Sequence, residues 1–453
     1  MATVRHSKKA CAVNPLKMSQ PIGGALAFMG LADTMPILHG SQGCTAFGMV
    51  LFVRHFKESI PLQTTAMSEV ATVLGGFENV EQAVMNIYSK SRPAIIGMCS
   101  TGLTETKGDD VEGYLKLTRQ RHPELDDTAL IYVSTPDFKG AFQDGWAATV
   151  LRILQVLVEK PAAPREPARV AVLPGCHLTV ADIEELREIL ESFGLDPVFV
   201  PDLSGSLDGH VPEDFSPTTI GGTRREAIAA LGSAGLVLAV GEQMRTAAEW
   251  LGQHIDAPVQ LFDRLLGLGA TDRLMAFLAD HSGRPVPAKY RRQRSQLVDA
   301  MLDGHFYTGG CKVAIGAEPD LLHGVGQFLA ELGCELAAAV TTTESPVLEH
   351  LPTEEVLIGD LEDLEAGAAG CDLLITHAHG RQMAQRLDIP FLRMGLPIFD
   401  RLGAAHRLAL GYRGSRDFIF EVANALIAHG HEPHPDDWRT SDAPEAGAAA
   451  AVA

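Results

Sequence analysis

The chain has 453 residues, a length that points to about three domains rather than one. Hydrophobic residues at 46% and charged residues at 21% exclude wholesale disorder and fibrous repeats. Lys and Arg number 37 against 57 Asp and Glu, and the net charge of -20 disfavours a surface devoted to neutralising a phosphate backbone, so no nucleic-acid partner is expected.

The N-terminus, MATVRHSKKACAVNP, carries charge with no apolar stretch behind it, and no run approaches the roughly 18 to 20 apolar residues of a membrane helix. A cytoplasmic protein without membrane attachment is expected. From there a short apolar strand followed by an amphipathic helix repeats along the chain, the pattern of parallel α/β sheets. In a first block, residues 1–159, MPILHGS, AIIGMCST and ALIYVSTP read as buried strands. NVEQAVMNIYSKS, DDVEGYLKLTRQ and DGWAATVLRILQVLVEK have helical spacing.

KPAAPREPAR (160–169) has no periodicity and reads as a linker opening a second block, 160–288. Its strands are VAVLP, DPVFV, LVLAV and PVQLF, with a helix capped by the Thr179 hydroxyl and Asp182 in its first turn. A charged helix, KYRRQRSQLVDAMLDGHFYTGG, opens a third block, 289–438, in which the strand and helix rhythm restarts at KVAIG and continues through VLIGD, CDLLITH and FLRMG. The tail 439–453 has too little side chain to bury and is expected to be disordered.

Ligands of open α/β sheets gather outside the carboxyl ends of the strands. In the first block those ends lead into HGSQGC (39–44), STGLTE (100–105) and STPDF (134–138), short loops that can bring backbone close to a ligand. Cys44 follows Gly43 and precedes a helix expected over 45–56, whose N-terminal amides favour a thiolate. A lone cysteine is often no more than a small buried hydrophobe; its setting marks Cys44 as a candidate soft-metal ligand.

Seven cysteines without a CxxC pair exclude a disulfide framework and a self-contained zinc site. Cys99, Cys334 and Cys371 lie in or beside apolar strands and are expected in the core. Cys311 begins a strand and Cys11 lies in the basic arm; neither is given a role. Cys176 and His177 are adjacent and so point apart, and His377 with His379 reads as a solvated loop pair rather than a ligand pair. Asp109 and Asp110 read as the acidic first turn of a helix. GLGATD and GVGQFL do not complete GxGxxG and no GxxxxGK occurs, which leaves nucleotide binding without support.

NPLKMSQPIGGALAFMG, MPILHGSQGCTAFG, RHFKESIPLQTTAMSE, STGLTETKGDD, VSTPDFKGAF, LPGCHLT and GLPIFDRLGAAHR follow one another between roughly residues 11 and 415. In that order they resemble the β-type chains of the nitrogenase molybdenum-iron protein family, which includes cofactor-assembly relatives. KACAVNPLKMSQP and HGSQGCTAFGMVLFVRHFKE are most similar to the assembly-scaffold branch. The resemblance implies three Rossmann-like α/β domains around a cleft. Substrate-reducing β chains of the family carry three cysteine ligands to a double-cubane P-cluster. Those positions fall here on Ser19, Cys44 and Gly102, and glycine has no ligand atom.

For the scaffold branch the resemblance implies that Cys44 gives one ligand to a 4Fe-4S cluster whose other three come from a NifE-type partner in an α2β2 heterotetramer. The iron-molybdenum cofactor precursor would be held mainly by that partner, with transient docking of the nitrogenase reductase (iron protein), the precursor donor and apo-nitrogenase. Three rival readings are the β subunit of a substrate-reducing nitrogenase, the corresponding subunit of light-independent protochlorophyllide reductase, and a small-molecule-binding α/β protein with no cluster. Ser19 and Gly102 count against the first; the segments around Cys44 and GLPIFDRLG count against the second.

Overall fold

The computed structural model describes residues 1–160 and 164–430, without the side chains of Val70 and Leu74. Residues 161–163 of the expected linker and the tail 439–453 lie outside the described residues. The described strands are β1 (Thr3–His6), β2 (Thr34–His39), β3 (Gln63–Thr64), β4 (Ile95–Ser100), β5 (Ala129–Val133), β6 (Glu166–Pro174), β7 (Asp196–Phe199), β8 (Ala234–Val240), β9 (Val259–Phe262), β10 (Lys312–Gly316), β11 (Glu335–Thr341), β12 (Glu355–Ile358), β13 (Leu373–Thr376) and β14 (Phe391–Arg393).

They form three sheets, in the orders β3-β2-β4-β5, β7-β6-β8-β9 and β1-β12-β11-β10-β13-β14. Every pairing is parallel, as the strand–helix alternation requires. The central strands β2, β4 and β8 are buried along their whole length, which is why they read as unbroken apolar runs. In each sheet the order reverses beside a central strand, at β2/β4, β6/β8 and β10/β13. Those are the positions where an open parallel sheet leaves a crevice at its carboxyl edge.

Two strands depart from the blocks read in the sequence. The N-terminal strand β1 joins the third sheet beside β12, although residues 1–159 were grouped with the first block. It is an exposed edge strand with one neighbour, so neither burial nor alternation marks it in sequence. The stretch read as linker supplies the start of β6: Glu166 pairs with Ala234, and the register shifts before Val170, where the strand enters the core.

The helix Gln20–Met29 is buried on all sides and packs against the helix Phe142–Leu157. Glycines permit that approach. A Cβ at Gly145 would enter the Gln20 carbonyl, and one at Gly23 would enter the Phe142 carbonyl. Trp146, fully buried, donates from Nε1 to the Pro174 carbonyl at 3.0 Å and so ties this helix pair to the end of β6. The helix Val180–Ser192 has the expected Thr179 cap, with Thr179 Oγ1 accepting from Asp182 N at 3.1 Å. Asp182 Oδ1 also accepts from Ala409 N and Leu410 N at 2.7 and 2.8 Å, joining the second sheet's helix to the chain beyond the third sheet.

Candidate functional site

At the carboxyl edge of the first sheet the three loops singled out in the sequence come together. Thr101 Oγ1 and Thr104 Oγ1 both donate to the His39 carbonyl, at 2.9 and 3.1 Å. Ser134 Oγ donates to Glu105 Oε1 at 2.6 Å, and Gly102 N to Asp137 Oδ2 at 2.9 Å. The loops after β2, β4 and β5 therefore form one hydrogen-bonded rim.

Cys44 sits in that rim, half-buried and without a disulfide partner. The helix begins earlier than expected, at Gln42, so the thiol lies within its first turn rather than before it. Ser41 is the extended N-cap, and its hydroxyl turns to the thiol, with Oγ 3.5 Å from Cys44 Sγ, instead of bonding the helix amides. Free first-turn amides and the helix dipole both favour negative charge there. Beyond Cys44 the outer face of this helix shows Phe47, Val50 and Val53 to solvent, at 65%, 51% and 40% exposure, and Leu103 and Phe138 are also exposed. Single exposed apolar side chains are ordinary, but a row of them along one helix face is the mark of an interface.

Ser19 and Gly102, like Cys44, stand at the starts of helices. Ser19 is the N-cap of Gln20–Met29, and Gly48, in the Cys44 helix, is in contact range of Ile22: a Cβ there would lie 2.9 Å from Ile22 Cδ1. Gly102 is the first residue of the helix Gly102–Lys107, where a Cβ would come to 3.1 Å from Asp137 Oδ2. Cys44 is thus the one thiol among these three positions.

Sequence reasoning missed the support beneath the rim. His39 is fully buried; its Nδ1 lies 2.9 Å from Thr65 Oγ1, which in turn accepts from Gly40 N at 3.1 Å. The Thr65 proton is then free for Nδ1, leaving Nε2–H facing Asp109 Oδ2 at 3.5 Å. Burial lowers the His39 pKa to about 4, with Asp109 working against it, so the imidazole is neutral. Asp110 caps the helix Val111–Arg121 as expected, accepting from Gly113 N at 3.0 Å. Asp109 does not share that role: its side chain is buried and paired with Lys107 Nζ at 3.0 Å. His39 and Asp109 are far apart in sequence, and only the strand pairing of β2 with β4 brings them together.

A second concave region lies where the chain leaves β6, β9, β10 and β14. It is a cavity of 120 Å³, walled mainly by apolar side chains such as Leu178, Leu265 and Met394, with Cys176, His177 and Glu318 among its lining. The adjacent pair lines the same cavity and meets the same side chain: Cys176 N donates to Gln243 Oε1 at 3.3 Å, and His177 Nδ1 faces Gln243 Nε2 at 3.5 Å. Burial pushes the Glu318 carboxyl up to about 8 although Gln143 N donates to it at 3.1 Å, and lowers His177 and His55 to about 4. Cys99, Cys311, Cys334 and Cys371 are buried and Cys11 is exposed. His377 departs from the solvated-loop expectation: it is buried, with Nε2 3.1 Å from the Leu16 carbonyl, because the N-terminal segment crosses over the end of β13. His379 stays outside, its ring against Phe399. Among the described residues no group of three or more His, Cys, Asp or Glu side chains could hold a metal ion, and no helix is long and apolar enough to cross a membrane.

Comparison with known proteins adds a family to this geometry. The model of the nitrogenase component 1 type oxidoreductases matches residues 19–427, most of the chain and all three sheets' central strands. The chain belongs to that nitrogenase component 1 family. A nitrogenase iron-molybdenum cofactor biosynthesis protein NifN from Bradyrhizobium diazoefficiens is 62% identical over 448 residues, covering 97% of this chain and 96% of the relative. The protein of the same name from Mesorhizobium japonicum is 50% identical over 450 residues, covering 98% of each chain. A solved chain of nitrogenase Cp1 at pH 6.5 superposes with a TM-score of 0.88 at 31% identity, covering 94% of this chain and 95% of that one. The component 1 fold, α/β with parallel sheets, is therefore shared along nearly the whole chain.

Proposed function

We propose that the chain is one subunit of a scaffold complex on which the nitrogenase iron-molybdenum cofactor precursor is matured before transfer to apo-nitrogenase. Near-full-length relatives named as iron-molybdenum cofactor biosynthesis proteins support this reading. The observation that carries it to a site is Cys44: a single thiol in the first turn of a helix, at the border of an exposed apolar face. A four-iron cluster needs about four protein ligands, and with Ser19 and Gly102 where substrate-reducing relatives carry cysteines this chain offers one. The donor set fits a 4Fe-4S cluster shared with a NifE-type partner that supplies three thiolates, in an α2β2 heterotetramer. It does not fit a double cubane.

When bound, such a cluster supplies one-electron transfer. The chain's own residues ligate through Cys44 Sγ, hold the ligating loop through Thr101, Thr104 and Thr65, and keep water out by burying Phe47, Val50 and Val53 against the partner. The precursor, as cargo, lies mainly in the partner. The iron protein, the precursor donor and apo-nitrogenase dock transiently, in the cytoplasm. Domain limits at 159/160, 288/289 and 438/439 accord with one sheet in each of the first three intervals, β1 apart. The test is iron and acid-labile sulfide on the complex purified with a NifE-type partner, beside the chain alone. Iron in the complex and little on the single chain is expected; stoichiometric iron on the single chain overturns the shared-ligand reading.

A further inference from the structure

The amino-terminal edge of the third sheet, remote from Cys44 in the sheet topology, brings two cysteines together. Lys312 pairs with Glu335 in the parallel β10/β11 ladder, so the residues just before them, Cys311 and Cys334, stand side by side. The ladder continues to their level: Glu335 N donates to the Cys311 carbonyl at 2.9 Å. Both cysteines also converge on one acceptor, the Thr308 carbonyl, which receives Cys311 N at 3.1 Å and Cys334 Sγ at 3.3 Å. They face the same core, whereas Cys371, next in line before β13, packs on the opposite face with its Sγ 3.8 Å from the Gly367 carbonyl. The neighbouring Cys334 thiol, together with burial, raises the Cys311 pKa.

Adjacent strands in a sheet stand about 4.8 Å apart, within the Cα separation of roughly 4.4 to 6.8 Å that a disulfide spans. The cover over the pair is thin. Cys334 is 9% exposed and Cys311 2%, and the turns beside them are Gly309–Gly310 and Gly333, where Gly310 has open space in place of a side chain.

We propose that Cys311 and Cys334 are an oxidisable dithiol, converted by hydrogen peroxide into an intrachain disulfide that clips β10 to β11 in the folded protein. Cys334, the more exposed, attacks first as its thiolate: an S–O bond forms, the peroxide O–O bond breaks, and the departing hydroxide leaves as water with the thiol proton. The Cys311 sulfur then attacks the sulfenic sulfur; the S–S bond forms, the S–O bond breaks and a second water leaves with the Cys311 proton. The two thiols lose two electrons and two protons, and one peroxide becomes two waters.

The full chain, folded, is treated with hydrogen peroxide, its remaining thiols are alkylated, and it is digested unreduced with trypsin and a glutamate-specific protease. Trypsin cuts after Lys312, between the pair, and the second protease after Glu335, between Cys334 and Cys371. The expected product is one linked pair of peptides carrying Cys311 and Cys334, two hydrogens lighter than their sum, reversed by dithiothreitol and formed with unchanged circular dichroism. Cys371→Ser should still form it; Cys311→Ser and Cys334→Ser should not. Thiols that stay reduced until the protein is unfolded, over-oxidation without a link, or a link to Cys371 would each overturn the proposal. The wild-type map decides the matter even if a serine variant fails to fold.

Discussion

Glu318 gives the sharpest handle on the packing between the sheets. It follows β10, lines the cavity, and burial raises its carboxyl from 4.5 to about 8. A carboxyl whose folded pKa is raised binds its proton more tightly in the folded state. Its contribution is therefore fully favourable below pH 4.5 and is lost as pH rises towards 8. Each proton held by the folded state alone lowers stability by about 1.4 kcal/mol per pH unit, so between pH 6 and pH 8 Glu318 should cost roughly 2 kcal/mol. Glu318→Gln keeps an oxygen for the Gln143 amide and cannot titrate. Urea unfolding of both proteins at pH 6, 7 and 8 is the assay. The variant should gain on the wild type progressively, by about 2 kcal/mol over that range. Parallel stability profiles across those pH values would refute the burial argument.

The histidines supply the opposite limb: His39, His55, His177 and His377 all have folded pKa values lowered to about 4 by burial, so their contribution is lost as pH falls from 6.5 towards 4, and thermal melts should show a stability maximum between the two limbs. Gly145→Ala should cost at least about 2 kcal/mol in denaturant unfolding, because the Gln20 carbonyl occupies the space of the new methyl; an unchanged midpoint would mean that the two helices part easily. Phe47→Glu with Val50→Glu should abolish co-purification with a NifE-type partner while shifting the stability of the chain alone by no more than about 0.5 kcal/mol, and retained co-purification would place the interface elsewhere. Cys176→Ser and Cys371→Ala should cost about 1 to 2 kcal/mol each and leave the iron content of the complex intact; lost iron in a folded variant would make either a ligand.

The sheets were legible in sequence where strands are buried on both faces. β2, β4, β6, β8 and β10 read as apolar runs because parallel strands covered by helices have no polar face to alternate with. β1, β3 and β11 were not legible: one is an exposed edge, one is two residues long, and β11 is built largely on alanines. The helix Gln20–Met29 escaped because it is buried all round and so has no polar stripe to give 3.6-residue periodicity. At the site, Cys44 stood out through its local setting. The His39–Asp109 contact and the Cys311–Cys334 pair depend on strand register, which no local spacing encodes. Glu318 looks in sequence like an ordinary helix-capping acid, and only the surrounding side chains turn it into a part-buried, proton-retaining carboxyl.

The central claim is that this chain gives one thiolate, from Cys44, to a single shared cubane. Electron paramagnetic resonance and Mössbauer spectra of the reduced complex with a NifE-type partner, wild type beside Cys44→Ala, test it most directly. The account predicts a single-cubane signal in the wild type that is lost or weakened by one cluster per αβ pair in the variant, while the precursor site in the partner still fills. A double-cubane signature in the wild type, or a full cubane signal in Cys44→Ala, would contradict it.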